Sequence, residues 1–153
     1  MNATLSHNTP TVLRGNLVLL RANTLRLLLP LSEVGGARHL DATPLPSDQP
    51  GLFEHRGAEG SQTLIALSDA MRPLLAYPAL RFVITPIQSA YGVMLFSWDE
   101  VSVLIDANLH AQSVPAGSVS RESAVQHFVE MGDKIAFCCT AQKLTDFALE
   151  MEP

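Results

Sequence analysis

Phe128-Val129-Glu130-Met131-Gly132-Asp133-Lys134-Ile135-Ala136-Phe137-Cys138 is the segment whose reading decides the fold. Two apolar runs flank a Gly-Asp pair. A glycine at the first central position permits the positive φ of a tight type II′ turn, so the segment predicts a β-hairpin. Downstream, Ala141, Leu144, Phe147, Ala148 and Met151 recur at steps of three and four. That spacing predicts a C-terminal helix with one apolar face. Thr140 is its candidate N-cap. The face packs on the body of the protein or receives a partner.

Upstream the same β reading repeats. Leu13 to Leu20 and Leu25 to Leu29 read as strands of a hairpin, with Ala22-Asn23-Thr24 as the turn and Pro30 as the stop. Residues 41–62 carry Pro44, Pro46, Pro50, Gly51, Gly57 and Gly60 and read as a long loop. Thr63 to Leu67 is a short strand, after which Ser68 caps a helical turn through Leu75. Leu80 to Thr85, Val93 to Phe96 and Val101 to Ile105 are further strands, the first two linked through Gln88-Ser89-Ala90. Pro115, Gly117 and Ser118 mark a loop, and Ser120 to Val125 a short helix. Many short strands with closely spaced turns predict small β-barrels or a sandwich.

The 153 residues suit one compact domain or two small joined lobes. Hydrophobic residues make up 47% and charged ones 16%, enough apolar material for a core. The net charge of −5 argues against a nucleic-acid partner, which needs a basic surface to displace counterions. The acidic excess lies in residues 77–153, at Asp99, Glu100, Asp106, Glu130 and Asp133 among others. It is a solubilising surface or a functional acidic patch. Cys138 and Cys139 are adjacent, so on a strand they face opposite sides and do not pair with each other. No zinc-type spacing surrounds them, and they read as buried thiols of a reducing compartment. Residues 1–11 read as a loose leader without a signal-peptide pattern. The most apolar run, Leu17 to Leu31, is broken by Arg21, Asn23, Arg26 and Pro30 and cannot span a bilayer. The expectation is a soluble, cytoplasmic protein that does not insert in a membrane.

Catalytic patterns are absent from the sequence. There is no Gly-rich phosphate loop, no nucleophile elbow and no histidine pair at metal spacing. His7, His39, His55, His110 and His127 are scattered. Glu54 and His55 are adjacent and could form a carboxylate–imidazole pair, yet no neighbouring Ser or Cys has the setting of an activated nucleophile. The reading is a non-enzymatic binding protein with no metal and no cofactor. Trp98-Asp99-Glu100-Val101 joins an aromatic to two acids. Trp98 is an exposed partner anchor or a core tryptophan beside surface acids.

Gly51-Leu52-Phe53-Glu54-His55-Arg56-Gly57 resembles, at identical spacing, the Gly-hydrophobic-x-Asn-Leu-Arg-Gly segment of the CheW-like family, with Pro50 before it. Glu54 and His55 stand where that family has Asn and Leu. Leu25 to Val34 resembles the family's opening hairpin. Thr63 to Leu67 resembles the next strand, with Ala66 in place of an Asp. Asp99-Glu100-Val101 resembles its Asp-x-Val signature, with Leu95 where a Gly is usual and Trp98 where a small aliphatic is usual. Pro115 falls where a strand often ends. Gly132-Asp133-Lys134-Ile135, running to Lys143-Leu144, resembles the closing hairpin and helix. The resemblance covers roughly residues 12–148 and marks a divergent member.

It implies two five-stranded SH3-like β-barrel lobes packed side by side, as one domain over 12–153. It also implies an adaptor or scaffold that docks onto the regulatory domain of a chemotaxis-type histidine kinase and onto the cytoplasmic tip of methyl-accepting receptors, in flagellar chemotaxis or pilus-based twitching. The residues it points to, as partner-binding or loop-fixing, are Gly51, Arg56, Gly57, Trp98, Asp99 and Val101. Arg56 is a partner contact or an internal brace of its loop. Two other functions remain: a divergent regulator that binds the kinase alone, and a small-molecule-binding or hydrolytic β-barrel using Glu54 and His55.

Overall fold

The computed structural model describes residues 11–57, 60–113 and 127–150. The leader, the Pro115 loop, the Ser120–Val125 helix and Met151 lie outside the described residues. Eleven strands are described: β1 (Thr11–Ala22), β2 (Leu25–Pro30), β3 (Arg38–His39), β4 (Leu45–Pro46), β5 (Phe53–Gly57), β6 (Gly60–Ala66), β7 (Val83–Ser89), β8 (Gly92–Trp98), β9 (Glu100–Ser113), β10 (His127–Met131) and β11 (Lys134–Cys138). A short 3-10 turn, Leu31–Glu33, follows β2, and helix α1 (Ala141–Glu150) follows β11. The fold is mainly β, in two barrel-like lobes. One is a closed five-stranded barrel in the order β1-β2-β11-β10-β9. The other is a six-stranded sheet ordered β3-β7-β8-β6-β5-β4, whose two end strands are only two residues long. The chain starts in the first lobe, builds the second, and returns.

The continuous apolar runs now have a cause. A strand buries both faces only when a core lies on each side of it. On β1, Leu17 and Leu19 point into the barrel, while Val18, Leu20 and Ala22 point at the second lobe. On β2, Leu28 points into the barrel and Leu25, Leu27 and Leu29 point out of it to the same junction. The second lobe mirrors this: Leu64 and Leu95 fill its interior, whereas Ile65, Leu67, Met94, Phe96 and Trp98 join the junction core. The largest core therefore lies between the lobes. The apolar face of α1 packs on it through Ala141, Leu144 and Ala148. Thr140 caps this helix, its Oγ1 accepting the Lys143 N–H at 3.1 Å. Glu33 Oε1 accepts the Ala141 N–H at 2.7 Å.

The Gly132-Asp133 hairpin forms as expected, with Met131 opposite Lys134 and Gly132 at φ +69°. Asn23, at φ +56°, makes the corresponding turn between β1 and β2. Three local expectations change. Residues 53–57 and 60–62 form a strand pair where a loop was expected, because Phe53 anchors β5 in the second lobe's interior. Residues 68–75 form no helical turn. Ser68 Oγ instead accepts the Ala70 and Arg72 amides, both at 3.2 Å, around Met71 at φ +64°. Finally β7 begins at Val83, because Arg81 turns inward to a buried polar site and Leu80 is left exposed.

Cys138 ends β11 and packs toward the barrel interior, while Cys139, expected on the same strand, lies one residue past it and joins the junction core. Both are free thiols, and burial pushes them up to about 11 and about 12 respectively. No helix among the described residues is long and apolar enough to cross a membrane.

Candidate functional site

Gly51 occupies a turn that demands it. Leu52 N–H donates to the Gln49 carbonyl at 3.2 Å, closing Gln49-Pro50-Gly51-Leu52. Pro50 suits the first central position of a type II turn, and Gly51, at φ +87°, supplies the positive φ of the second. A Cβ at Gly51 would also stand 3.0 Å from Pro73 Cβ. Gly51→Ala is therefore expected to cost more than about 1 kcal/mol and to lower Tm by at least about 2–4 °C. An unshifted melting curve would show that the turn relaxes freely.

This turn launches β5, and β5 with β6 carries Arg56 out to the hairpin end, where Gly57 faces Gly60. Gly57 does not take a positive φ, so its role is the strand end and not a left-handed turn. Arg56 is no internal brace. Its side chain is 71% exposed, and its Nη2 lies 3.3 Å from Glu54 Oε1 on the same strand face. Glu54 and His55, as strand neighbours, point to opposite faces. They do not make a carboxylate–imidazole pair. Both nonetheless line a cleft of about 470 Å³, together with Arg38, His39, Asp41 and Arg56.

Trp98, Asp99 and Val101 sit where the chain crosses from β8 to β9, and so from the second lobe to the first. Trp98 is fully buried, so it is not an exposed anchor. It stacks on Phe96 with ring centroids 6.1 Å apart, and its indole N–H donates to Thr85 Oγ1 at 2.8 Å. Asp99 is a bracket between lobes. Its Oδ2 accepts the Asn23 N–H at 2.5 Å, its own N–H donates to the Arg21 carbonyl at 2.7 Å, and its Oδ1 lies 3.5 Å from Arg81 Nε. Val101 faces Leu20 and packs on the edge of the junction core.

Sequence reading missed Arg81. It is 2% exposed, and it donates through Nη1 to the Leu67 carbonyl at 2.5 Å. Its own carbonyl accepts the Tyr77 hydroxyl. Burial pushes that phenol above its ordinary value, against the opposing effects of Ser97 and Arg81. Only the unusual isolation of one arginine in an apolar stretch, Leu80-Arg81-Phe82-Val83, hinted at it.

Beyond Val101, β9 exposes Val103 and Ile105, at 50% and 64%. β10 pairs with β9 only at Gln112 and Ser113. Among the described residues, the edge of β9 away from β1 is thus open along most of its length. An open edge beside exposed apolar side chains is a surface suited to a protein partner. Among the described residues no group of three or more His, Cys, Asp or Glu side chains is placed to hold a metal ion.

Comparison with protein-family models and with curated protein sequences finds no match. Among solved structures, the chain is similar to the scaffolding protein TtCheW from Thermoanaerobacter tengcongensis, with a TM-score of 0.63 and 14% identity. The alignment covers 86% of this chain and 92% of that one. Two barrel-like lobes joined along a shared core, with a terminal helix on the junction, are thus the CheW-like fold.

Proposed function

We propose that this protein is a non-enzymatic cytoplasmic adaptor that couples chemoreceptors to a chemotaxis-type histidine kinase. The observation that carries the reading is the near-complete overlay on a CheW scaffolding protein, which spans both lobes. Two surfaces support it. The β5–β6 hairpin presents Arg56 at its end, held by the Pro50-Gly51 turn. The β9 strip presents Val103 and Ile105 beside an edge that is open among the described residues. A kinase regulatory domain of the same barrel type and a helical receptor tip are partners such surfaces accommodate. Arg56 is the residue that would fork onto a partner carboxylate or carbonyl. The small-molecule or hydrolytic alternative finds Glu54 and His55 on one cleft of about 470 Å³, but no Ser or Cys among the residues that line it.

The test is capture of the kinase regulatory domain and a receptor cytoplasmic fragment encoded in the same genome. Wild-type protein should retain both; retention of the kinase alone would replace the adaptor by a kinase-only regulator, and retention of neither would end the reading. Arg56→Ala should leave Tm within about 1–2 °C, because an exposed ion pair contributes little. It should weaken capture about ten- to a hundredfold, the effect of one charged interface hydrogen bond. Unchanged capture by Arg56→Ala would remove this hairpin from the interface.

A further inference from the structure

The second lobe's sheet has two end strands, whereas the strand order of the first closes on itself. β3 and β4 are consecutive in the chain, yet they lie at opposite edges of the six-stranded order. The segment 40–44 spans the seam between them. β4 pairs with β5 only through Leu45–Glu54 and Pro46–Phe53. From His55 to Gly57, β5 therefore has β6 on one side and, among the described residues, no strand on the other. Among the described residues β3 likewise pairs only with β7, through Arg38 and His39. These two open stretches both line the cleft of about 470 Å³. Unpaired strand edges are templates for another strand.

Two guanidiniums, Arg38 and Arg56, and two carboxylates, Asp41 and Glu54, line the seam, but they do not all pair. Glu54, on its rim, is already engaged by Arg56. Arg38 projects from β3 toward β6, where its Nη2 reaches only the neutral Gln62 Oε1, at 3.5 Å. Gln62 stands directly opposite His55. Among the described residues Arg38 has no carboxylate within ion-pair distance, although Asp41 lines the same cleft. A guanidinium fork on an exposed edge strand is complementary to a carboxylate.

We propose that the seam of the second lobe accepts an extended acidic segment of a partner protein, added as a strand along His55–Gly57 with a carboxylate on Arg38. Backbone pairing supplies the register and Arg38 the preference for an acidic side chain. The proposal rests on the adaptor reading, and deepens it by naming what one of the partners presents.

Three synthetic seven-residue peptides test it against the full chain by fluorescence anisotropy: one alternating Glu and Val, the same peptide with Lys for Glu, and the Glu peptide N-methylated at every second residue. The Glu peptide should bind, and the other two at least about tenfold more weakly, because one loses the charge match and the other the backbone donors. Arg38→Glu should weaken the Glu peptide about tenfold or more without moving Tm, since Arg38 is exposed and makes only one long contact, to Gln62 at 3.5 Å. Amide exchange should slow at residues 55–57 when the Glu peptide is present. Equal binding of all three peptides, absence of binding, or protection confined to β9 would overturn the proposal. Wild-type capture of kinase and receptor alongside any of those results would leave the adaptor reading intact and remove only the strand-addition site.

Discussion

Trp98→Ala should be the most destabilising single aromatic truncation in this protein, costing about 3–5 kcal/mol. Trp98 is fully buried at the junction core, where it stacks on Phe96 and donates its indole N–H to Thr85. Removing it opens a cavity in the core that both lobes share, and strands Thr85 Oγ1 without its donor. A domain of this size holds only about 5–15 kcal/mol in total. The loss should appear as a Tm lowered by about 6–20 °C. Trp98→Phe separates the two contributions. It keeps most of the packing and loses the indole donor, so a smaller cost of about 1–3 kcal/mol is expected. A Tm for Trp98→Ala within about 2 °C of wild type would show that the lobes do not depend on this core.

That core explains what could be read from the sequence. The runs Leu17 to Leu20 and, within Val93 to Phe96, Met94 to Phe96 are legible as strands because neither face needs a polar residue when each faces a core, although Val93 itself is exposed. The Gly132-Asp133 turn was legible because its geometry depends on one local φ. The strand at 53–57 was not, since the prolines and glycines of residues 41–62 read as loop chemistry and only tertiary pairing with β6 makes it β. The candidate site divides the same way. Gly51 could be assigned a backbone role from its residue type. Trp98 could not be placed inside or outside from four residues of context, and the structure puts it inside. The exposure of Val103 and Ile105, and the burial of Arg81, depend on which strands fail to meet and where a loop turns. Neither leaves a period in the sequence.

Asp99→Ala is expected to cost about 3 kcal/mol, toward the lower end of what breaking a buried ion pair does, because Asp99 is itself 23% exposed. The cost comes from what stays behind. Arg81, 2% exposed, would keep its charge beside the junction core with the Leu67 carbonyl as its remaining partner. Asn23 N–H would also lose its acceptor at the β1–β2 turn. Arg81→Met removes the buried charge and fills part of its volume, so it should cost less than Arg81→Ala. The double variant Arg81→Met with Asp99→Ala should then be more stable than the sum of its single effects by about 1–3 kcal/mol, the signature of coupled neighbours. Equilibrium urea unfolding of the four proteins measures this. Strict additivity would mean that the 3.5 Å approach of Arg81 to Asp99 carries no interaction of consequence. The same variants decide whether Asp99 contacts a partner. As a bracket between lobes, its loss should reduce kinase or receptor capture only as the folded fraction falls. Capture lost at a temperature where Asp99→Ala is fully folded would instead place this carboxylate in the interface.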